Sequence, residues 1–229
     1  MTSLLQFAPW CNQPAYNSFK YLETILDGIN YVIAGGSARK LYVREAMKMS
    51  DIDVWFHDEE SLLEAKQRLD AVMHPNTVFN PKNEFSKPFV NSFLQVAHTE
   101  YGYTFVNNNL TNSNLPYTAN VQLLRKQTVG DGIEGVIGIF DYTICQFAYT
   151  KGLIYATPAA IADHKAGILR RNPICTAPVC YERAMKYMGK GYTPTIELFD
   201  LLFLNNRESM KHGSVSLENL FYEDNFKRV

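Results

Sequence analysis

The chain has little of what marks the specialised protein classes. Its four cysteines (Cys11, Cys145, Cys175, Cys180) form no C-x-x-C pair and no regular framework. That argues against a disulfide scaffold and for a reducing, cytosolic setting. The histidines show no H-x-x-x-H spacing, which speaks against a zinc site; His57, His98 and His212 are scattered, and His164, beside Lys165, reads as a structural histidine with a phosphate contact as the alternative. No apolar run approaches the roughly 18 residues of a membrane span, so no membrane partner is expected. Phe7-Ala-Pro-Trp-Cys-Asn breaks any signal-like apolar core, and cytoplasmic localisation is the expectation. Internal repeats and low-complexity tracts are absent, and the net charge of −1 gives no global signal for a polyanion partner.

What is present is ordinary globular material. The chain has 229 residues, 46% of them hydrophobic and 20% charged, enough to bury a sizeable core. The charge is unevenly placed. Residues 1–150 carry 11 basic and 15 acidic side chains, residues 151–191 carry 7 and 2, and residues 192–229 carry 4 and 6. A basic segment is thus set between two acidic ones.

Residues 31–56 hold the informative pattern. An apolar run, Tyr31-Val-Ile-Ala, leads into Gly35-Gly36-Ser37, a helical stretch follows, and a second apolar run opens with Asp51-Ile-Asp53. In a strand alternate side chains share a face, so Asp51 and Asp53 stand together. Paired carboxylates raise each other's pKa unless a cation relieves them, and Mg²⁺ favours oxygen ligands. A glycine turn opening a helix offers N–H groups to phosphate. Gly35, Gly36 and Ser37 are therefore candidate phosphate contacts, with Arg39 and Lys40 beside them. The bland alternative makes Gly35-Gly36 a tight turn and Asp53 an edge charge facing water.

Around this lies an α/β pattern. An irregular arm at residues 1–16 precedes a helix from 17 or 18 to 29, a strand at 31–34, a helix at 37–47 and a strand at 51–57. Asp58 caps the next helix, which runs to 73. Loops are expected at 74–88 and 107–116, and strands at 99–106 and 118–126. Gln122, in the second of these, reads as a core-edge polar group. A short helix at 131–139, a long strand at 140–150 and a returning segment at 152–157 complete a first unit. Helices at 159–167, 177–189, 194–206 and 210–221 then form a lobe. The expected division is 1–157 for a catalytic domain and 158–229 for a helical lobe packed on it.

Gly35-Gly36-Ser37 followed by Asp51-Ile52-Asp53 resembles the signature of the DNA polymerase β-like nucleotidyltransferase superfamily, and Phe140-Asp141-Tyr142 resembles the third acidic segment of its small, often phage- or prophage-borne members. The resemblance covers residues 30–150 and continues more loosely to Tyr192. It implies a mixed sheet flanked by helices, and transfer of a nucleoside monophosphate from an NTP (ATP or CTP) to a hydroxyl with release of pyrophosphate. It implies Asp51, Asp53 and Asp141 as catalytic metal ligands for two Mg²⁺ ions, with Mn²⁺ as a substitute, set about 3.5–4 Å apart. Asp131 and Glu134 compete with Asp141 for the third place. It further implies that Arg183, Lys186 and Tyr187, at i, i+3 and i+4 on a basic helix, reach the nucleotide from the second lobe. RNA or tRNA 3′ ends are slightly favoured as acceptor over a small molecule or a protein, with Arg170, Arg171 and Lys165 extending a possible track. Two other readings stay open: a non-catalytic phage factor gripping nucleotide, RNA or a host protein, and a metal-dependent glycosyltransferase using the same Asp-x-Asp.

Overall fold

The computed structural model describes residues 3–10, 14–45, 51–73, 93–99, 102–107, 120–125, 132–175 and 181–211. The expected loops at 74–88 and 107–116, Asp131, and the last helix at 210–221 lie wholly or largely outside these residues.

Eight strands form one sheet: β1 (Leu5–Phe7), β2 (Tyr31–Ala34), β3 (Ile52–Phe56), β4 (Phe93–Thr99), β5 (Gly102–Asn107), β6 (Val121–Arg125), β7 (Phe147–Thr150) and β8 (Leu153–Ala156). Their spatial order is β1-β8-β7-β2-β3-β6-β5-β4. Neighbours are antiparallel except β3 and β6, which run parallel and align Asp53 with Gln122. This is the mixed sheet flanked by helices that the sequence implied. It is wider than expected. The N-terminal arm supplies β1, and two strands stand where one was expected near 99–106.

One face of the sheet carries α1 (Pro14–Ile25), α2 (Gly36–Val43) and α3 (Glu59–Met73). Their apolar stripes recur at helical spacing. Phe19, Leu22, Ile25 and Leu26, then Ala38 and Leu41, then Leu62, Ala65 and Leu69 pack with Ile33, Ile52, Val54 and Phe56 of the strands. Each such leucine or phenylalanine adds about 1.5–3 kcal/mol by leaving water. Asp58 caps α3 as its position predicts, accepting from the Ser61 amide at 2.6 Å. On the opposite face α4 (Gly132–Ile137) lays Val136 and Ile137 against Val32, Ala34 and Ala148. Both faces of β2 are therefore covered, and all four of its residues are buried.

Residues 140–150 depart from the long strand expected there. Phe140 and Asp141 form a bend, Thr143–Cys145 a 3-10 turn, and only Phe147–Thr150 is strand. Distant polar partners account for the break. Thr143 Oγ1 donates to Asp163 Oδ2 at 2.7 Å, and Arg170 Nε donates to the same oxygen at 3.0 Å. Asn172, 1% exposed, donates to the carbonyls of Gly138 and Phe140, each at 2.8 Å, while its own amide bonds Asp141 O at 2.7 Å.

Beyond β8, α5 (Pro158–Ala166) starts with a Thr157 cap and a proline and ends at left-handed Gly167. α6 (Tyr181–Met188) and α7 (Ile196–Lys211) follow, and a small parallel ladder of β9 (Ile168–Leu169) and β10 (Thr193–Pro194) packs against α6. A second core of Tyr142, Ile144, Leu169, Ala184, Tyr187, Tyr192, Leu198 and Leu202 joins these helices to the 3-10 turn.

Replacing Asn172 by alanine strands two buried carbonyls. We expect a loss of about 2–3 kcal/mol in urea unfolding, with the denaturant slope unchanged. A loss under about 0.5 kcal/mol would mean that water satisfies these groups.

Candidate active site

The register of β2 and β3 sets the site. Ala34 pairs with Asp53, so the turn leaving β2 passes directly beside the aspartate pair. Gly35 occupies φ 89°, a left-handed conformation that glycine adopts without strain. A Cβ there would lie 3.2 Å from ring carbons of Phe140 and 3.7 Å from Asp53 Oδ2. The missing side chain lets the turn run between an aromatic ring and a carboxylate. Helix α2 begins at the next residue, with its free N–H groups at the same end.

A cleft of about 480 Å³ opens here. Gly35, Gly36 and Ser37 form one side, Asp51, Asp53 and Gln122 the floor, and Arg183, Lys186 and Lys190 the opposite side. Ser37 is 2% exposed and its Oγ has no hydrogen-bond partner among the described residues. A buried hydroxyl left unpaired at the edge of a cavity is a group waiting for a ligand oxygen.

The aspartates differ in setting. Asp51 precedes β3, is exposed, and accepts from Asn120 Nδ2 at 3.0 Å. Asp53 is half-buried on the strand. Burial pushes its carboxyl up to about 6, the Asp51 charge adds to the rise, and Arg183 and Lys186 oppose it.

The other expected residues are placed as follows. Asp141 is 9% exposed, off the strand, and its Oδ1 accepts from Arg183 Nη1 at 3.1 Å. It does not line the cleft with the aspartate pair, and among the described residues no three His, Cys, Asp or Glu side chains gather to hold a metal. Glu134 lies on α4. Arg39 is 1% exposed, and its terminal nitrogens are engaged: two bonds of 2.9 Å to Glu45 and one of 3.1 Å to the Tyr192 hydroxyl. It ties the end of α2 to the second core while lining the cleft. Tyr187 is buried, with its hydroxyl 3.0 Å from Cys145 Sγ and its ring edge-on to Tyr142 and Tyr192. Arg183 and Lys186 are exposed and face the cleft.

Two cleft residues did not stand out in the sequence. Lys190, past the end of α6, reaches the cleft and lies over the Tyr187 ring at 5.3 Å. Gln122 stands beside Asp53 only through the β3–β6 register, which no local pattern announces.

Comparison with known proteins follows the geometry. The chain is similar to a tRNA-processing enzyme solved in an apo form, with a TM-score of 0.58 at 15% identity, over 91% of this chain and 50% of that one. A CCA-adding enzyme in complex with CTP gives a TM-score of 0.58 at 16% identity, over 86% of this chain and 44% of that one. The Thermotoga maritima CCA-adding enzyme complexed with tRNA gives 0.56 at 16% identity, over 87% and 42%. The chain spans about half the length of these proteins or less, and the likeness establishes a nucleotidyltransferase-type fold. No curated protein matches. The model of the Gabija anti-defense 2 family matches residues 7–166, well over half of the sequence. The chain belongs to that family, Gad2.

Proposed function

We propose that this protein is a metal-dependent nucleotidyltransferase that moves a nucleoside monophosphate from an NTP, ATP or CTP, to a hydroxyl acceptor and releases pyrophosphate. One observation carries the reading: a phosphate-sized turn with an unpaired buried hydroxyl, an aspartate pair and a row of cations share a single cleft. Neighbours of the same fold were solved with CTP, ATP and tRNA, which supports nucleotide and RNA as partners.

The donor set suits a hard divalent ion. Asp51 and Asp53 offer carboxylates at the start of β3, and Gln122 an amide oxygen from the adjacent β6. Asp53, raised to about 6 by burial and by its neighbour, is a carboxyl whose proton a cation would replace. Mg²⁺ or Mn²⁺ bound there supplies charge neutralisation on the triphosphate and a lowered pKa for the acceptor hydroxyl. The protein's own groups do the rest. N–H groups of α2 and the Ser37 hydroxyl hold phosphate oxygens, and Lys186 and Lys190 neutralise the departing pyrophosphate. Asp141 is a positioning residue that holds the Arg183 guanidinium at the cleft. The acceptor oxygen attacks the α-phosphorus, the bond to the β-phosphate oxygen breaks, and the hydroxyl proton passes to a carboxylate of the pair.

A second reading has its own support. With Gln122 beside Asp53 and Asp141 engaged by Arg183, two carboxylates rather than three face the cleft among the described residues. A site so furnished can grip a nucleotide or RNA without transferring it, as a non-catalytic anti-defense factor would.

Incubation with each α-labelled NTP, Mg²⁺ and total RNA or lysate tests the first reading. Label should enter one band, and Asp53→Ala should lower incorporation by at least about 100-fold. If Asp53→Ala kept full anti-defense activity, transfer would be dispensable and the gripping reading would stand. Metal content is separately accessible. Gln122→Glu adds a carboxylate and should tighten Mn²⁺ binding about tenfold by electron paramagnetic resonance of the free ion. Unchanged binding removes position 122 from the donor set.

The pH dependence has a definite sign. Burial and the Asp51 charge push the folded Asp53 carboxyl up to about 6 from an ordinary carboxylate value of 3.8, so the folded state binds more protons in that window. Metal-free stability therefore falls as pH rises from about 4 to 6. Above this, Asp53→Asn should be more stable than the parent by on the order of 2 kcal/mol, and at pH 3.5 the two should converge. Thermal unfolding in EDTA across this range checks it, and a variant no more stable at pH 7 contradicts it.

A further inference from the structure

A second cavity, of about 490 Å³, opens off the cleft. The two share Lys40 and Lys190, and the second continues to His164, Tyr192, Gly167 and Gly191. Both glycines have positive φ, 65° and 91°, so backbone without side chains forms that wall and leaves the space open. The floor is a polar chain: Arg39 Nη1 donates to the Tyr192 hydroxyl at 3.1 Å, and that hydroxyl lies 2.7 Å from His164 Nδ1. The one carboxylate in the wall, Glu45, has both oxygens occupied by Arg39. Cations predominate. Lys40 and Lys190 are held below the usual lysine range, first by burial and then, against Glu45, by Arg39 and Lys186. His164 is lowered by burial and by Arg39.

We propose that this cavity is a phosphate subsite, contiguous with the nucleotide cleft through Lys40 and Lys190, with His164 and Tyr192 as its far contacts. An anion there replaces repulsion between lysines with charge-assisted hydrogen bonds and gives the His164–Tyr192–Arg39 chain a terminal acceptor. The phosphate has two chemical sources: the pyrophosphoryl group leaving the nucleotide, or a phosphodiester of the acceptor strand. The identity of the anion rests on the transfer reading above; its binding does not.

Calorimetric titration of the full chain without divalent ions tests this with three probes: inorganic pyrophosphate, a short single-stranded oligoribonucleotide, and AMP as a cleft control. His164→Leu removes the far contact, and Lys190→Met removes an exposed shared cation with little risk to folding. Each variant should weaken pyrophosphate or the oligoribonucleotide about tenfold, and the probe affected names the source. AMP affinity should be unchanged in His164→Leu. The proposal is overturned if the parent binds neither probe, if His164→Leu weakens neither one, or if AMP falls in step with them in His164→Leu. Retained pyrophosphate binding in a protein that takes up label from none of the α-labelled NTPs would sink the transfer reading and leave the subsite standing.

Discussion

The pairing of Ala34 with Asp53 is the constraint on which the rest of the site depends. It brings a glycine turn against a strand-borne carboxylate, where positive φ and a Cβ that would lie only 3.2 Å from the Phe140 ring both favour glycine. The same register directs Ile52, Val54 and Phe56 into the main core and leaves Asp53 and Trp55 on the opposite face. A slip of one residue would bury both aspartates' neighbours in the wrong layer. The core therefore enforces the chemistry. Burying that apolar row fixes where the carboxylates stand, although their mutual repulsion opposes the arrangement.

The cation side of the cleft is fixed from a different core. Tyr187 is anchored on Cys145, and both line the cleft together with Arg183, Lys186 and Lys190. Burial pushes the Cys145 thiol up to about 11, which keeps it a neutral partner for the tyrosine. Arg39 then joins the two sides, since its helix belongs to the sheet and its Tyr192 partner to the second core. Arg39, a candidate phosphate contact, lines the cleft and also spans from α2 to the second core, and removing it would leave Glu45 without the guanidinium that engages both its oxygens.

What was legible in the sequence was local. The strand, glycine turn, helix and Asp-x-Asp strand follow one another within 26 residues, each with its own signal, and Asp58 announces its helix by position and residue type. What was not legible depends on pairings far apart in the chain. Residues 140–150 look like one strand because their apolar side chains fit one, yet Asp163, Arg170 and Asn172 draw the first half into a turn. Gln122 resembles any strand-edge amide until β3 and β6 are set in register. Tyr187 and Lys186 are adjacent on one helix, and helical spacing alone does not say which of them the second core claims.

The distribution of charge then explains why nucleotide and protein would fit each other. The cleft sets like charges together twice, Asp51 and Asp53 on one strand and Arg183, Lys186 and Lys190 along its far side, with Arg183 ion-paired to Asp141. A free triphosphate with a divalent ion carries the complementary pattern, positive where the aspartates stand and negative where the lysines do. Each half of such a ligand relieves a repulsion the fold maintains, so affinity comes from release of stored electrostatic strain as well as from new hydrogen bonds. A bare metal relieves only the floor, and a bare phosphate only the far side. Binding of ion and nucleotide should therefore be mutually reinforcing, by the reciprocity that any shared free energy of coupling requires.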